Sequence, residues 1–94
     1  MFIYRFHSRP NELQNRVTVV GVLVNEQLHV AVSRCSNKDN FSRKIGNAIA
    51  EGRLNQGQFY MSFPMISCSI TQFVIIAKGI ASEVSRNGRL ITKN

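Results

Sequence analysis

Two β-prone runs stand close together in the first half of the chain. Residues 17–24, VTVVGVLV, are rich in β-branched side chains and are bounded by polar positions. In residues 28–33, LHVAVS, large apolar side chains at every second position alternate with His29, Ala31 and Ser33, which is the two-residue period of a strand. Only the connector 25–27 separates the runs, so we predict an antiparallel hairpin. Gly21, inside the first run, predicts a bulge or the close approach of another group.

After the hairpin, apolar residues recur at the spacing of a helix. This spacing predicts a helix over Lys38–Gly52 whose apolar stripe packs on the core. Ser36 and Asp39 have the spacing of a capping box at its start. Gly46 weakens the helix, yet it would let another backbone approach closely. The stripe recurs at i, i+4, i+7 and i+8 through Phe41, Ile45, Ala48 and Ile49.

Further elements are predicted on either side of this central part. Phe2–Phe6 and Phe59–Phe63 are short β-prone segments, and Pro64 closes the second. Ser69 and Gln72 have the spacing of another capping box. An apolar face at helical spacing then runs through Phe73, Ile76, Ala77, Ile80, Ala81 and Val84.

Residues 69–85 are open to two interpretations. The β-branched run Val74–Ile76 is typical of a strand. The helical spacing of apolar residues persists over a longer segment, and it favours a helix. Asn87 and Gly88 predict a turn, after which Arg89–Thr92 would form a last, edge strand.

These elements predict a single small α+β domain over residues 1–94. An antiparallel sheet of about four strands would carry two helices packed on one face, so that both apolar stripes are buried. The other face of the sheet, or the outer face of the first helix, would stay open for a partner.

Charge adds the first indication of function. The 94 residues include twelve Lys and Arg against five Asp and Glu, a net charge of +7 with a pI near 10.3. An apolar fraction of 44% is ordinary for a globular protein. A small, strongly basic domain favours an anionic partner, and nucleic acid is the leading candidate.

Candidate catalytic and metal-binding chemistry is sparse in the sequence. Cys35 and Cys68 lack CxxC spacing, His7 and His29 have no ligand spacing, and the carboxylates are scattered. We therefore expect no enzyme activity, cofactor, metal or small-molecule substrate. The basic start of the chain does not read as a signal peptide, and no apolar run could span a membrane, so a soluble cytoplasmic protein is expected.

The basic residues concentrate on and beside the first predicted helix. On the helix, Arg43 and two asparagines fall opposite the apolar stripe, a mixture suited to phosphate and polar contacts. The alternative is that these residues form a solvent-exposed helix face that binds no partner. Two other groups remain open as sites, one of Arg5, Arg9 and Arg16, the other of Arg86, Arg89 and Lys93. The candidate partner-binding residues are Arg34, Lys38, Asn40, Arg43, Lys44, Asn47 and Arg53.

The aromatic residues near the strands are a second candidate set. They could stack on nucleic-acid bases, although aromatics at strand spacing more often belong to the core. They are Phe2, Tyr4, Phe6, Phe59, Tyr60 and Phe63.

The block GVLV…LHVAVSRCSNKDNFSRKIGNAIAEGRL resembles a pattern in small proteins of bacteriophages and prophages. Within that group the chain resembles type I-F anti-CRISPR proteins, over roughly residues 17–54. The resemblance implies a stoichiometric inhibitor without catalytic residues, acting in the host bacterial cytoplasm. It would bind the crRNA-guided surveillance complex and block capture of target DNA. The contact would be with Cas backbone subunits, either alone or together with the crRNA. The charge of +7 suits a guide-RNA contact and argues against DNA mimicry, which needs an acidic surface.

Two other classes stay open. One is a phage nucleic-acid-binding accessory protein that modulates a host exonuclease or recombination. The other is a small nucleic-acid-binding regulator, which is disfavoured because the strongest predicted helix follows a β-hairpin and not another helix.

Overall fold

Four antiparallel strands form one sheet in the order β1-β2-β3-β4 in the part of the chain that the structure describes. The structure is a computed structural model, and it describes residues 2–9, 15–36 and 42–87. Two helices complete the α+β fold that the sequence predicts. The elements in chain order are β1 Ile3–His7, β2 Asn15–Val24, β3 Gln27–Ser36, α1 Arg43–Asn55, β4 Met61–Pro64 and α2 Ile70–Asn87.

The β2–β3 hairpin is the centre of the sheet and confirms the predicted hairpin. Its register is continuous from Val24↔Gln27 to Asn15↔Ser36. The two-residue turn has Asn25 at φ 51° and Glu26 at φ 62°. Two successive left-handed residues are what a type I′ turn requires, and such turns match the twist of the strands they join.

Gly21 fits one of its two predicted roles. The unbroken register of β2 with both neighbours rules out a bulge at this position. A Cβ atom added at Gly21 would lie 2.5 Å from Cε1 of Phe73. The glycine therefore makes room for an aromatic ring of α2 against the sheet.

The segment predicted as helix or strand over residues 69–85 is helical. The capping box at its start is confirmed, because the Ser69 N–H donates to Gln72 Oε1 at 2.8 Å and the Gln72 N–H donates to Ser69 Oγ at 3.1 Å. The predicted apolar face of α2 packs on one face of the hairpin. This core includes Val17, Val19, Leu28, Val30 and Val32 of the sheet with Phe73, Ala77, Ile80, Ala81 and Val84 of α2.

The first helix packs on the opposite face of the sheet. There Ala50 and Leu54 of α1 contact Val20, Val22 and Ala31. The prediction that both helices share one face is therefore wrong. Consecutive residues of a strand point to opposite faces, and residues 17–22 of β2 are all buried. A strand that is buried on both sides requires a cover on both sides.

The start of α1 also differs from the prediction. The helix begins at Arg43 and not at Lys38, and its N-cap is Ser42, whose Oγ accepts from the Ile45 N–H at 3.3 Å. The predicted cap, Ser36, is the last residue of β3. Asp39 lies outside the described residues.

The buried face of α1 is not the predicted apolar stripe. Ile45 is 61% exposed and Ile49 is 45% exposed, and Phe41 lies outside the described residues. The buried residues of the helix are Gly46, Ala50 and Leu54. Gly46 and Ala50 let the helix lie close to the sheet, and Leu54 packs on it, so close contact as well as side-chain hydrophobicity sets the rotation of α1.

Two of the remaining strand predictions are confirmed with shifted ends. The segments predicted at Phe2–Phe6 and Phe59–Phe63 correspond to β1 and β4. Gly88 and the predicted edge strand Arg89–Thr92 lie outside the described residues.

We expect opposite effects from alanine at the two glycines of α1. A Cβ atom at Gly46 would collide with Thr18 Oγ1, whereas nothing lies within 4 Å of a Cβ atom at Gly52. Gly52→Ala should raise the free energy of unfolding by about 0.4–1 kcal/mol. Gly46→Ala should lower it by about 1–3 kcal/mol through overpacking. Urea denaturation measures both, and equal shifts in the two variants would contradict this placement of α1.

Truncation to alanine tests the rotation of α1. Leu54→Ala should lower the free energy of unfolding by about 2–5 kcal/mol because its side chain is buried against the sheet. Ile45→Ala should change it by less than about 0.5 kcal/mol, because Ile45 is exposed. If Ile45→Ala is the more damaging variant in thermal or urea melts, the helix is rotated the other way.

Candidate functional site

One end of the sheet brings together segments that are distant in sequence. The end of β1 lies beside the start of β2, where the Ser8 N–H donates to the Val17 carbonyl at 2.9 Å. The hairpin register places the end of β3 beside the same start of β2. The end of α2 is fixed there too, because the Asn15 N–H donates to Ser85 Oγ at 2.9 Å.

The first turns of α1 cover this same end of the sheet. Gly46 packs against Thr18, and the Ser33 hydroxyl donates to the Gly46 carbonyl at 3.0 Å. Residues just before and after Gly46 on α1 therefore lie near the end of β1 and the start of β2.

Six cations converge on this end, which we call the basic end. Five of them are exposed, and Arg16 is half-buried with its Nε donating to the Ser8 carbonyl at 2.8 Å. They come from the segment after β1, from β2, from β3, from α1 and from α2. The basic end consists of Arg9, Arg16, Arg34, Arg43, Lys44 and Arg86.

Carboxylates of the described residues do little to balance this charge. Glu26 lies in the β2–β3 turn, at the other end of the hairpin. Glu51 pairs with Arg5 in the middle of β1, with 3.0 Å between Arg5 Nε and Glu51 Oε2. Glu83 is one turn before Arg86 on α2 and offsets part of the positive charge there, and its Oε1 accepts a hydrogen bond from the Tyr60 hydroxyl at 2.8 Å. The basic end therefore carries an excess of positive charge.

The pKa of His7 is sensitive to this excess of positive charge. His7 is half-buried, and its Nδ1 lies 3.0 Å from Thr18 Oγ1. Burial lowers the pKa of His7, and the nearby Arg43 and Arg16 cations lower that pKa further. Positive charge from α1 and from β2 is thus felt at one imidazole on β1.

The predicted site residues divide into three groups. Arg34, Arg43 and Lys44 belong to the basic end and are exposed. Arg53 and Asn47 lie outside the basic end. Arg53 Nη1 donates to the Val32 carbonyl at 2.6 Å. Asn47 is half-buried, and its Oδ1 has no hydrogen-bond partner among the described residues. Lys38 and Asn40 lie outside the described residues.

Half of the basic end comes from outside the predicted site. Arg9 and Arg16 formed one alternative group in the sequence, and Arg86 belonged to another. Strand pairing and the docking of α2 bring them to the same place. One signal was present in the sequence, because the predicted hairpin sets Arg16 opposite Cys35, next to Arg34.

The candidate aromatic residues mostly serve the core. Tyr60 is buried, and Tyr4 stacks on Phe73 with ring centroids 5.0 Å apart. Phe59 stacks on His29 at 4.5 Å. Phe2, which is 61% exposed, precedes β1 at the end of the sheet away from the basic end.

Comparison with protein-family models, with curated proteins and with solved structures finds no match to this chain. Within the described residues, no group of three or more His, Cys, Asp and Glu could hold a metal ion. None of the helices described is long and apolar enough to cross a membrane.

We predict that His7 titrates below the ordinary histidine pKa of about 6.5, because burial and two cations oppose its protonation. Arg43→Gln removes one of these cations and should raise the titration midpoint of His7. Lys78→Gln, on the exposed surface of α2, is the control and should leave it unchanged. NMR titration of the imidazole resonances measures all three proteins, and an unmoved midpoint in Arg43→Gln would refute the coupling.

The lowered pKa of His7 makes the free energy of unfolding depend on pH. The unfolded chain binds a proton at His7 more readily than the folded protein does. The contribution of His7 to stability is therefore complete above the unfolded pKa of about 6.5 and is lost as the pH falls through that value toward the lower folded pKa. His7→Gln should flatten this part of the curve of melting temperature against pH.

Proposed function

We propose that the protein is a non-catalytic binding protein whose basic end contacts the phosphate groups of a nucleic acid. The observation that supports this proposal is the convergence of six cations from five segments, with little compensation from the described carboxylates. Cations that neutralise phosphates release condensed counterions, which drives binding without base recognition.

The composition of the basic end suits phosphates in particular. Five of its six cations are arginines, whose planar guanidinium groups can form two parallel hydrogen bonds to one phosphate. All of them except Arg9, which follows β1, are carried by packed strands and helices, which limits the backbone freedom given up on binding. Arg16 is already oriented by its hydrogen bond to Ser8.

The specific partner that we propose follows from the resemblance to type I-F anti-CRISPR proteins. The partner is the crRNA-guided surveillance complex in the cytoplasm of a host bacterium, where the protein would block capture of target DNA. The resembling block, residues 17–54, covers most of the β2–β3 hairpin and of α1, and it supplies Arg34, Arg43 and Lys44 to the basic end. The guide-RNA backbone and adjoining Cas subunits are the surfaces that this end would contact.

A charge-matched pair of variants tests the phosphate contact. Lys44→Glu and Lys78→Glu each replace an exposed helical lysine and each lower the net charge from +7 to +5. We expect Lys44→Glu to weaken binding to labelled RNA strongly, and to lower the slope of log affinity against log salt by about one for each phosphate that is no longer neutralised. Lys78→Glu should have only a small effect. Equal reductions of affinity in fluorescence anisotropy would mean that net charge, and not this site, drives binding.

The partner is tested with the purified surveillance complex. The wild-type protein should bind the complex and prevent capture of labelled target DNA at a stoichiometry fixed by the complex, and Lys44→Glu should abolish both effects. Binding to naked nucleic acid with no effect on DNA capture would reject this partner while keeping the phosphate contact. Recovery of exonuclease subunits from a host lysate would favour the accessory-protein alternative.

A further inference from the structure

A groove of about 250 Å³ runs beside β1, on the side of the sheet that α2 covers. Two of its residues are strongly exposed, Phe2 at 61% and Ile70 at 65%. The groove is smaller than the roughly 300–1,000 Å³ typical of small-molecule sites, and it suits one or two apolar side chains. Its apolar lining is Phe2, Tyr4, Ile70, Phe73 and Val74.

The groove follows the outer edge of a strand. Ile3 and Arg5 also line it, although their side chains are directed to the other face of the sheet. There Ile3 packs against the α1 cluster and Arg5 pairs with Glu51. The part of Ile3 and Arg5 that borders the groove is therefore their backbone.

That backbone is available for hydrogen bonding. The Ser8 N–H donates to the Val17 carbonyl, and inward and outward groups alternate along an antiparallel strand. Ser8, Phe6 and Tyr4 therefore bond to β2, whereas the N–H and C=O groups of Ile3 and Arg5 point away from it. They have no partner among the described residues. Such an edge is a template for pairing with another strand.

The two faces beside this edge differ in chemistry. On the α2 side lies the apolar groove, and on the α1 side lies Arg5. Nε and Nη2 of Arg5 donate to the Glu51 carboxylate at 3.0 and 3.2 Å. Its Nη1 has no partner among the described residues and can donate to a second carboxylate, since a guanidinium carries five N–H groups.

We propose that the outer edge of β1 binds an extended segment of a partner protein in which apolar side chains alternate with acidic ones. Successive side chains of an added strand point to opposite faces. One set enters the groove between Phe2 and Ile70, and the other set meets Arg5. Main-chain hydrogen bonds to Ile3 and Arg5 supply affinity, and the two faces supply specificity.

Charge decides between this partner and a second copy of the chain. Each copy carries a net charge of +7, so two copies repel each other, whereas an acidic segment is attracted. The groove lies at the start of β1 and α2, and the basic end lies at their far ends. Binding at the edge of β1 is therefore independent of the proposed phosphate contact, and both partners can bind at once.

A labelled peptide of alternating valine and aspartate is the probe. Two variants of α2 form a matched pair, because Ile70 borders the groove and Ile75, 67% exposed on the same helix, does not. Ile70→Ser should weaken peptide binding by roughly tenfold or more, and Ile75→Ser should leave it unchanged. A peptide of valine and lysine should not bind, and N-methylation of alternate peptide amides should abolish binding. Equal affinities of the two variants would show that the peptide does not bind in the groove. Binding of the lysine peptide would contradict the preference for an acidic segment.

Hydrogen exchange of the free protein is the second measurement. The amides of Ile3 and Arg5 should exchange rapidly alone and slowly with the peptide. Slow exchange in the protein alone would mean that another segment of the chain or a second copy already pairs with the edge, which would overturn the proposal. Sedimentation distinguishes these two causes. Lys44→Glu should change peptide binding no more than the charge-matched Lys78→Glu does, and Ile70→Ser should not affect RNA binding, so failure at one site is distinguishable from failure at the other.

Discussion

Burial of the β2–β3 hairpin on both faces is the constraint on which the rest of the structure depends. Its strands pair over ten residues each, and their apolar side chains point alternately toward α1 and toward α2. Each helix therefore has its own contact surface on the sheet. The same pairing determines which charges meet, because the start of β2 and the end of β3 carry Arg16 and Arg34 to one place. The core and the basic end are two consequences of one register.

The sequence predicted what depends on local pattern. The hairpin, the capping box at Ser69 and the helix that follows it are local features, and the structure confirms them. The orientation of α1 depends instead on contacts distant in sequence. Gly46 and Ala50 are weakly apolar, yet they are buried because they permit close contact, and Ile45 is left exposed. The basic end could be predicted only in part for the same reason, since Arg9 and Arg86 reach it through the packing of whole elements.

The two ends of the sheet differ in what they offer a partner. At the basic end, long cationic side chains project from several elements and suit a charged, repetitive backbone. At the start of β1, apolar side chains and main-chain groups suit a single extended segment. On the two proposals, a protein of 94 residues would present two recognition modes, because the sheet keeps its opposite ends apart.

Arg53 is a cation whose described hydrogen bond lies at the edge of the sheet and not at the basic end. Paired residues of β4 cover β3 only from Gln27 to Val30, while β3 continues to Ser36. The next outward carbonyl belongs to Val32, and the Arg53 guanidinium binds it. A charged side chain laid over an open strand edge is a known defence against edge-to-edge aggregation. The last turn of α1 thus places a charged side chain over the part of the β3 edge that β4 leaves uncovered.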